Sequence, residues 1–249
     1  MKRNAIARII LYTVLILVLV GMLFAGLEMD TFFDDEDKLA SKSREVTFNP
    51  EKVTNLSVDW MLGEVKIKTS DVKQITVVEE GVFPDFQNMA CSLNDGELSI
   101  RYAKITGISS MSTKDLTILV PNTWHCQELE LDCASVDVSV TGLTIDHVQL
   151  NSALLELDYN GYFNTMECDG AKCTLRINTT GKPEQLDIEG ADCDVNLILT
   201  NDCGFCVTTD GLANIYSSRG DEDASGNYAY LDAHFKIHVQ GVGCTVNIH

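Results

Sequence analysis

Proline is scarce, with 4 in 249 residues, and so is positive charge: 18 Lys and Arg stand against 37 Asp and Glu, a formal charge of −19. That deficit argues against nucleic acid, whose phosphates need a basic surface. Aromatic residues make up 7% of the chain. There is no G-x-S-x-G elbow, phosphate-binding loop, dinucleotide fingerprint or H-E-x-x-H pair, so the common local signatures of nucleophilic, nucleotide-dependent and zinc chemistry are missing. What is present is an apolar content of 45% and 17 glycines set between short alternating runs. That pattern predicts strands joined by tight turns around a real core.

The one long apolar run is Ile9 to Leu27, uncharged and preceded by Lys2, Arg3 and Arg8. As a helix it spans roughly 28 Å, enough to cross a bilayer. Glu28, Asp30 and Asp34 to Asp37 follow it, so the basic flank predicts a cytoplasmic N-terminus and an extracellular remainder. A cleaved signal peptide shares the basic start, but its apolar core is shorter and a small-x-small site follows it. Leu23 and Phe24 crowd Ala25 and Gly26 here. The expected organisation is a cytoplasmic basic tail at 1–8, a single transmembrane helix at 9–27, an acidic linker at 28–45 and an extracytoplasmic domain at 46–249. The expected location is the cell membrane.

Residues 46–249 repeat. Leu129, Leu131 and Cys133 alternate, Ala134 and Ser135 intervene, and Val136, Val138 and Val140 alternate again. The six positions return as Val148, Leu150, Ser152, Leu155, Leu157 and Tyr159, then as Met166, Cys168, Gly170, Cys173, Leu175 and Ile177, then as Leu186, Ile188, Gly190, Cys193, Val195 and Leu197, at steps of 19, 18 and 20 residues. Phe205, Val207, Thr209, Leu212, Asn214 and Tyr216 follow more loosely, and Phe235, Ile237, Val239, Val242, Cys244 and Val246 close the series. Upstream, the template fits Leu56, Val58, Trp60, Gly63, Val65 and Ile67, and again Met89, Cys91, Leu93, Gly96, Leu98 and Ile100.

Period-two alternation with a two-residue kink predicts an all-β fold, a single-handed β-solenoid of about eight coils of 18–20 residues. An antiparallel sandwich shares the alternation but need not repeat residue types at fixed offsets.

The strand-turn-strand LSVDWMLGEVKIKTS, the LTILVPNTW step and the ladder from Gln127 onward resemble the bacterial putative-adhesin β-solenoids of Gram-positive cell surfaces, a family of unassigned function. The resemblance implies a surface protein, linked in some members to envelope regulation, with no active site attached. Family members often carry Ser-Gly at the kink, where this chain has Ala134-Ser135, Ala153-Leu154 and Ala171-Lys172.

Of nine cysteines, Cys91, Cys133, Cys168, Cys173, Cys193 and Cys244 fall on inward positions, where a free thiol packs as a small hydrophobe. Cys173 and Cys193 share a column at about 4.8 Å, within reach of a disulfide if the dihedral allows it. Cys203-Gly204-Phe205-Cys206 is a C-x-x-C pair without the helix start of a redox motif or the second ligand pair of a zinc site. On the outward face Glu130, Gln149, Glu167 and Asp187 form one column and Asp132, Asn151, Asp169 and Glu189 the next. Such a face is solvated by default and suits a divalent cation or a cationic polymer. Asp221, Asp223, Ser225 and Asp232 mimic a calcium loop, but no helices flank it and the twelfth place lacks Glu, so an acidic insertion is the expectation. His234 and His238 lie roughly 13 Å apart along a strand, too far to share a metal.

No catalytic, metal or cofactor site is therefore assigned. The expected function is a non-enzymatic binding, adhesion or envelope-structural module with an envelope polymer, cation or membrane protein as partner. A membrane-tethered regulatory partner and a polysaccharide-active β-helix enzyme are the alternatives.

Overall fold

Alternation in the sequence becomes parallel pairing in space. The computed structural model describes residues 41–83, 87–102, 112–222 and 227–249. The expected span at 9–27 and the linker as far as residue 40 lie outside the described residues. Among those described, no helix is long and apolar enough to cross a membrane. The described residues are all-β apart from 3-10 structure such as the turn at Pro50–Lys52, and their strands form one continuous sheet.

Strand β1 (Ser41–Phe48) begins within the stretch read as linker. It pairs antiparallel with β3 (Ile75–Val82), which pairs antiparallel with β6 (Lys114–Pro121). Strand β2 (Asn55–Ser70) carries both halves of one repeat and lies parallel to β7 (Cys126–Thr179). Leu56 sits opposite Leu129, Val58 opposite Leu131, Val65 opposite Val138 and Ile67 opposite Val140, in the register that the template gives.

On its other side β2 meets two separate strands. β5 (Glu97–Arg101) covers its first half and β6 its second, with Leu98 opposite Leu56 and Ile118 opposite Ile67. The repeat expected at Met89 to Ile100 does not form. Asp95 (φ 49°) and Gly96 (φ 91°) turn the chain back, so β4 (Ala90–Asn94) pairs antiparallel with β5 as a two-residue hairpin. Asp-Gly is a strong hairpin signal because both turn positions need positive φ. Cys91 is accordingly half-buried, as is Cys133, rather than enclosed.

β7 runs through three repeats without a break. Its last repeat pairs parallel with β8 (Gln185–Ile198), with Met166 opposite Leu186, Cys173 opposite Cys193 and Leu175 opposite Val195. These unit-to-unit pairings are parallel, which hairpin-connected sandwich strands do not produce. Leu131, Leu150, Leu157, Leu175 and Val195 are all inward and buried.

The stacking order then departs from the chain order. The sheet runs β8, β12 (Phe235–Ile248), β9 (Phe205–Ser217), so the last repeat sits between two earlier ones. Its frame also starts two residues later than the template placed it. Ile237 lies opposite Leu186, Val239 opposite Ile188, Gly241 opposite Gly190 and Val246 opposite Val195. Val242 is thereby a kink residue, 60% exposed.

In β9 a register shift against β12 falls between Val242 and Cys244. It leaves one kink residue, Leu212, where other repeats have two. Ala213, Ile215 and Ser217 face inward, half-buried, while Asn214 and Tyr216, expected inward, are exposed. The order has a packing cause. β12 repeats the Gly-x-x-Cys corner of β8 (Gly241 to Cys244 on Gly190 to Cys193), whereas β9 offers Ala213 there.

Candidate functional site

Three constellations concentrate chemistry-bearing side chains, and the first is the corner of the stack. At three bends a glycine and a cysteine face each other across the corner: Gly170 with Cys173, Gly190 with Cys193 and Gly241 with Cys244. A Cβ at Gly170 or Gly190 would lie 2.3 Å from the Sγ of the facing cysteine, so the sulfur occupies the space the glycine leaves. Cys168 Sγ donates to Cys173 Sγ at 3.7 Å, Cys173 is hydrogen-bonded to Cys193, and Cys193 to Cys244. Four thiols thus form a chain through β7, β8 and β12.

All nine cysteines are free thiols. Hydrogen bonding to Cys168 and burial push Cys173 up, and hydrogen bonding to Cys173 and burial push Cys193 up. Burial raises Cys244 to about 11 and Cys126 and Cys133 to about 12. A nucleophile or metal ligand must be a thiolate, so these sulfurs are packing groups at neutral pH. Cys203 is buried in the turn before β9 and Cys206 half-buried on it, and among the described residues no further ligand joins this C-x-x-C pair.

The second constellation was not foreseen. Lys114 and Glu79 are both fully buried and ion-paired at 2.5 Å. Lys114 Nζ also donates to Gln87 O at 2.7 Å and to Tyr102 O, and it sits 5.0, 4.9 and 3.9 Å from the ring centres of Trp60, Phe83 and Tyr102. The Glu79 carboxylate accepts Met89 N–H at 3.0 Å, while Arg44 donates to Met89 O at 2.8 Å. Burial lowers the lysine pKa and the facing carboxylate opposes the change. Every Nζ proton has an acceptor and the rings complete the cage, so the pair is a structural tie between β3, β6 and the segments entering them. Parity could have revealed it: Lys114 alternates with Leu116, Ile118 and Val120, and Glu79 with Ile75 and Val77, all buried.

The third is the outer surface. Asn151 Nδ2 donates to Asp132 Oδ1 at 2.8 Å, Ser57 Oγ to Glu130 at 3.3 Å and Asn55 Nδ2 to Glu128 at 3.3 Å, linking neighbouring repeats along the acidic face. Partial burial, then the charge of Asp132, hold Asp59 and Glu130 above the usual carboxylate range. Around the bend lies a shallow groove of about 240 Å³ lined by Ser139, Asp158, Asn160, Arg176, Asn178 and Asn196. Arg176 is held there by Glu156 at 2.5 Å and Asp158 at 3.5 Å.

The calcium-like set is not brought together. Asp221 lies in β10 (Asp221–Glu222), Asp232 Oδ1 accepts the His234 N–H at 3.4 Å, and Asp223 and Ser225 lie outside the described residues. Among the described residues no three His, Cys, Asp or Glu side chains converge as a metal-binding group. His238 Nδ1 pairs with Thr208 Oγ1 at 3.1 Å.

No protein-family model matches the chain, and no curated protein matches it. Among solved structures the chain is similar to a putative cell adhesion protein from Clostridium sporogenes, with TM-score 0.54 and 10% identity over 84% of this chain and 99% of that one. It is also similar to a putative adhesin from Bacteroides fragilis (TM-score 0.39, 11% identity, 84% and 97% covered) and to a putative lipid binding protein from Parabacteroides distasonis (TM-score 0.36, 12% identity, 84% and 96% covered). The likeness to the Clostridium protein is one of fold.

Proposed function

We propose that this chain is a non-enzymatic cell-surface binding module, a β-solenoid tethered by residues 9–27 that presents its outward columns to an envelope polymer, a cation or a membrane protein. One observation carries the reading: side chains on the acidic face continue from repeat to repeat, linked across them by hydrogen bonds such as Asn151 to Asp132. A repeated array of that kind suits a repeated ligand, and each added contact raises the effective concentration for the next. The fold likeness to a cell adhesion protein supports the same class.

The test is co-sedimentation of the purified full chain, in mild detergent, with isolated cell envelopes. The expected result is saturable binding that weakens when Glu130, Asp132, Glu167 and Asp187 are changed to their amides. Binding that is indifferent to those changes, or equal in a chain lacking 41–249, would remove the acidic face from the function. If that deletion instead altered transcription and left envelope binding intact, a regulatory partner would replace the binding module.

A further inference from the structure

The two ends of the sheet are finished differently. At one end β1 is the outermost strand, and its sequence SKSREVTF carries Lys42, Arg44 and Glu45, charges of the kind that keep an exposed edge from pairing with another chain. At the other end β9 pairs with β12 along one side, but on its free side only Phe205 to Val207 meet β11 (Tyr228–Tyr230). Among the described residues no strand covers 208–217 on that side. The segment TTDGLANIYS holds one charge, Asp210, and neither lysine nor proline.

Its inward residues Thr209, Ala213 and Ile215 are only half-buried, whereas their counterparts on β12, Val239, Cys244 and Val246, are enclosed. Four large apolar side chains stand out at this end of the sheet: Leu212 (72% exposed), Leu231 (63%), Tyr216 (60%) and Val242 (60%).

We propose that this edge pairs with the same edge of a second copy, antiparallel, about a two-fold axis through Leu212. The segment is self-complementary in that arrangement. Leu212 meets the Leu212 of the second copy, Asp210 falls opposite Asn214, and Thr208 opposite Tyr216, so no like charges face each other. Inward and outward positions also match, because Thr209 falls opposite Ile215 and Gly211 opposite Ala213. Ladder hydrogen bonds form along 208–216, and the half-open core closes on its copy.

The experiment uses the full chain in mild detergent. In sedimentation velocity it should dimerise reversibly. Leu212→Lys and Tyr216→Lys each place a charge on a side chain already exposed, which leaves the fold intact, and together they should raise the dimer dissociation constant by roughly tenfold or more. Leu212→Cys should give a covalent dimer with oxidised glutathione, two thiols becoming one disulfide as the glutathione is reduced, whereas Val82→Cys, exposed near the opposite edge, should not. A wild-type chain that stays monomeric, a dimer unmoved by the two lysines, or covalent dimers from Val82→Cys and none from Leu212→Cys would each overturn the proposal. So would a Leu212→Cys disulfide to another cysteine of its own chain.

Discussion

Gly190→Ala replaces a hydrogen with a methyl group in a crowded corner of the stack. The new Cβ would lie 2.3 Å from Cys193 Sγ and 2.8 Å from the carbonyl oxygen of Gly170. The sulfur can rotate away only by giving up its contacts with Cys173 and Cys244. The carbonyl belongs to the neighbouring repeat's backbone and cannot move without disturbing the parallel register at Gly170 and Gly190. Overpacking of a tight core costs about 1–3 kcal/mol, and two simultaneous clashes place this variant near the upper end, at about 3 kcal/mol. For a chain of this size that lowers Tm by about 6–12 °C.

Cys193→Ala alone loses a buried sulfur, about 1–2 kcal/mol. In the double variant the alanine methyl enters the space the sulfur left, so the combined loss should fall short of the sum by about 1 kcal/mol or more. Urea denaturation of the four-member cycle, followed by circular dichroism, measures both quantities. A Gly190→Ala loss under about 0.5 kcal/mol, or strict additivity, would refute the claim that the glycines exist to house the facing thiols.

Lys114→Met should cost about 3–5 kcal/mol, because it strands the Glu79 carboxylate in the core, and adding Glu79→Leu should recover part of that loss; equal stability of single and double variants would show that the pair is not coupled. Alkaline stability follows from the thiols. An unfolded cysteine ionises near 9, whereas the folded chain holds the protons of Cys91 and Cys244 to about 11 and of Cys126 and Cys133 to about 12. The native state therefore binds more protons than the unfolded one in this window, so the thiol contribution is complete below pH 9 and lost as pH climbs through 11 to 12. The urea midpoint should fall over that range, and replacing Cys126 and Cys244 by Val should flatten the fall. Asp132→Asn should raise Tm slightly by removing a charge that holds Asp59 and Glu130 above their ordinary range, and a lower Tm would count against repulsion on that face.

The alternation was legible wherever a repeat is self-contained. Leu56 to Ile67 and Leu186 to Leu197 sit in the register that residue types alone assigned, because period-two burial leaves a strand no second way to face the core. Reading failed where neighbours decide. Cys91 packs against the core as its alternation gives, but the Asp95-Gly96 turn makes its strand one arm of a hairpin instead of half of a repeat. The frame of β12 depends on its packing against β8, which its own alternation cannot reveal, since a shift of two residues leaves both arms facing as before and moves only the kink, where Val242 turns outward. Lys114 and Glu79 stand on apolar parity, but two charges on inward positions are legible as core only together, because each is the other's partner.

The central claim is display outside the cell, and side-chain labelling tests it without needing the fold to open. Lys172 and Lys182 project from the structure with 63% and 48% of their side chains exposed. An amine reagent that cannot cross membranes, applied to intact cells stripped of their wall and followed by peptide mass spectrometry, should modify both lysines to the same extent before and after lysis. Modification that appears only after lysis would put the domain inside the cell and contradict the account.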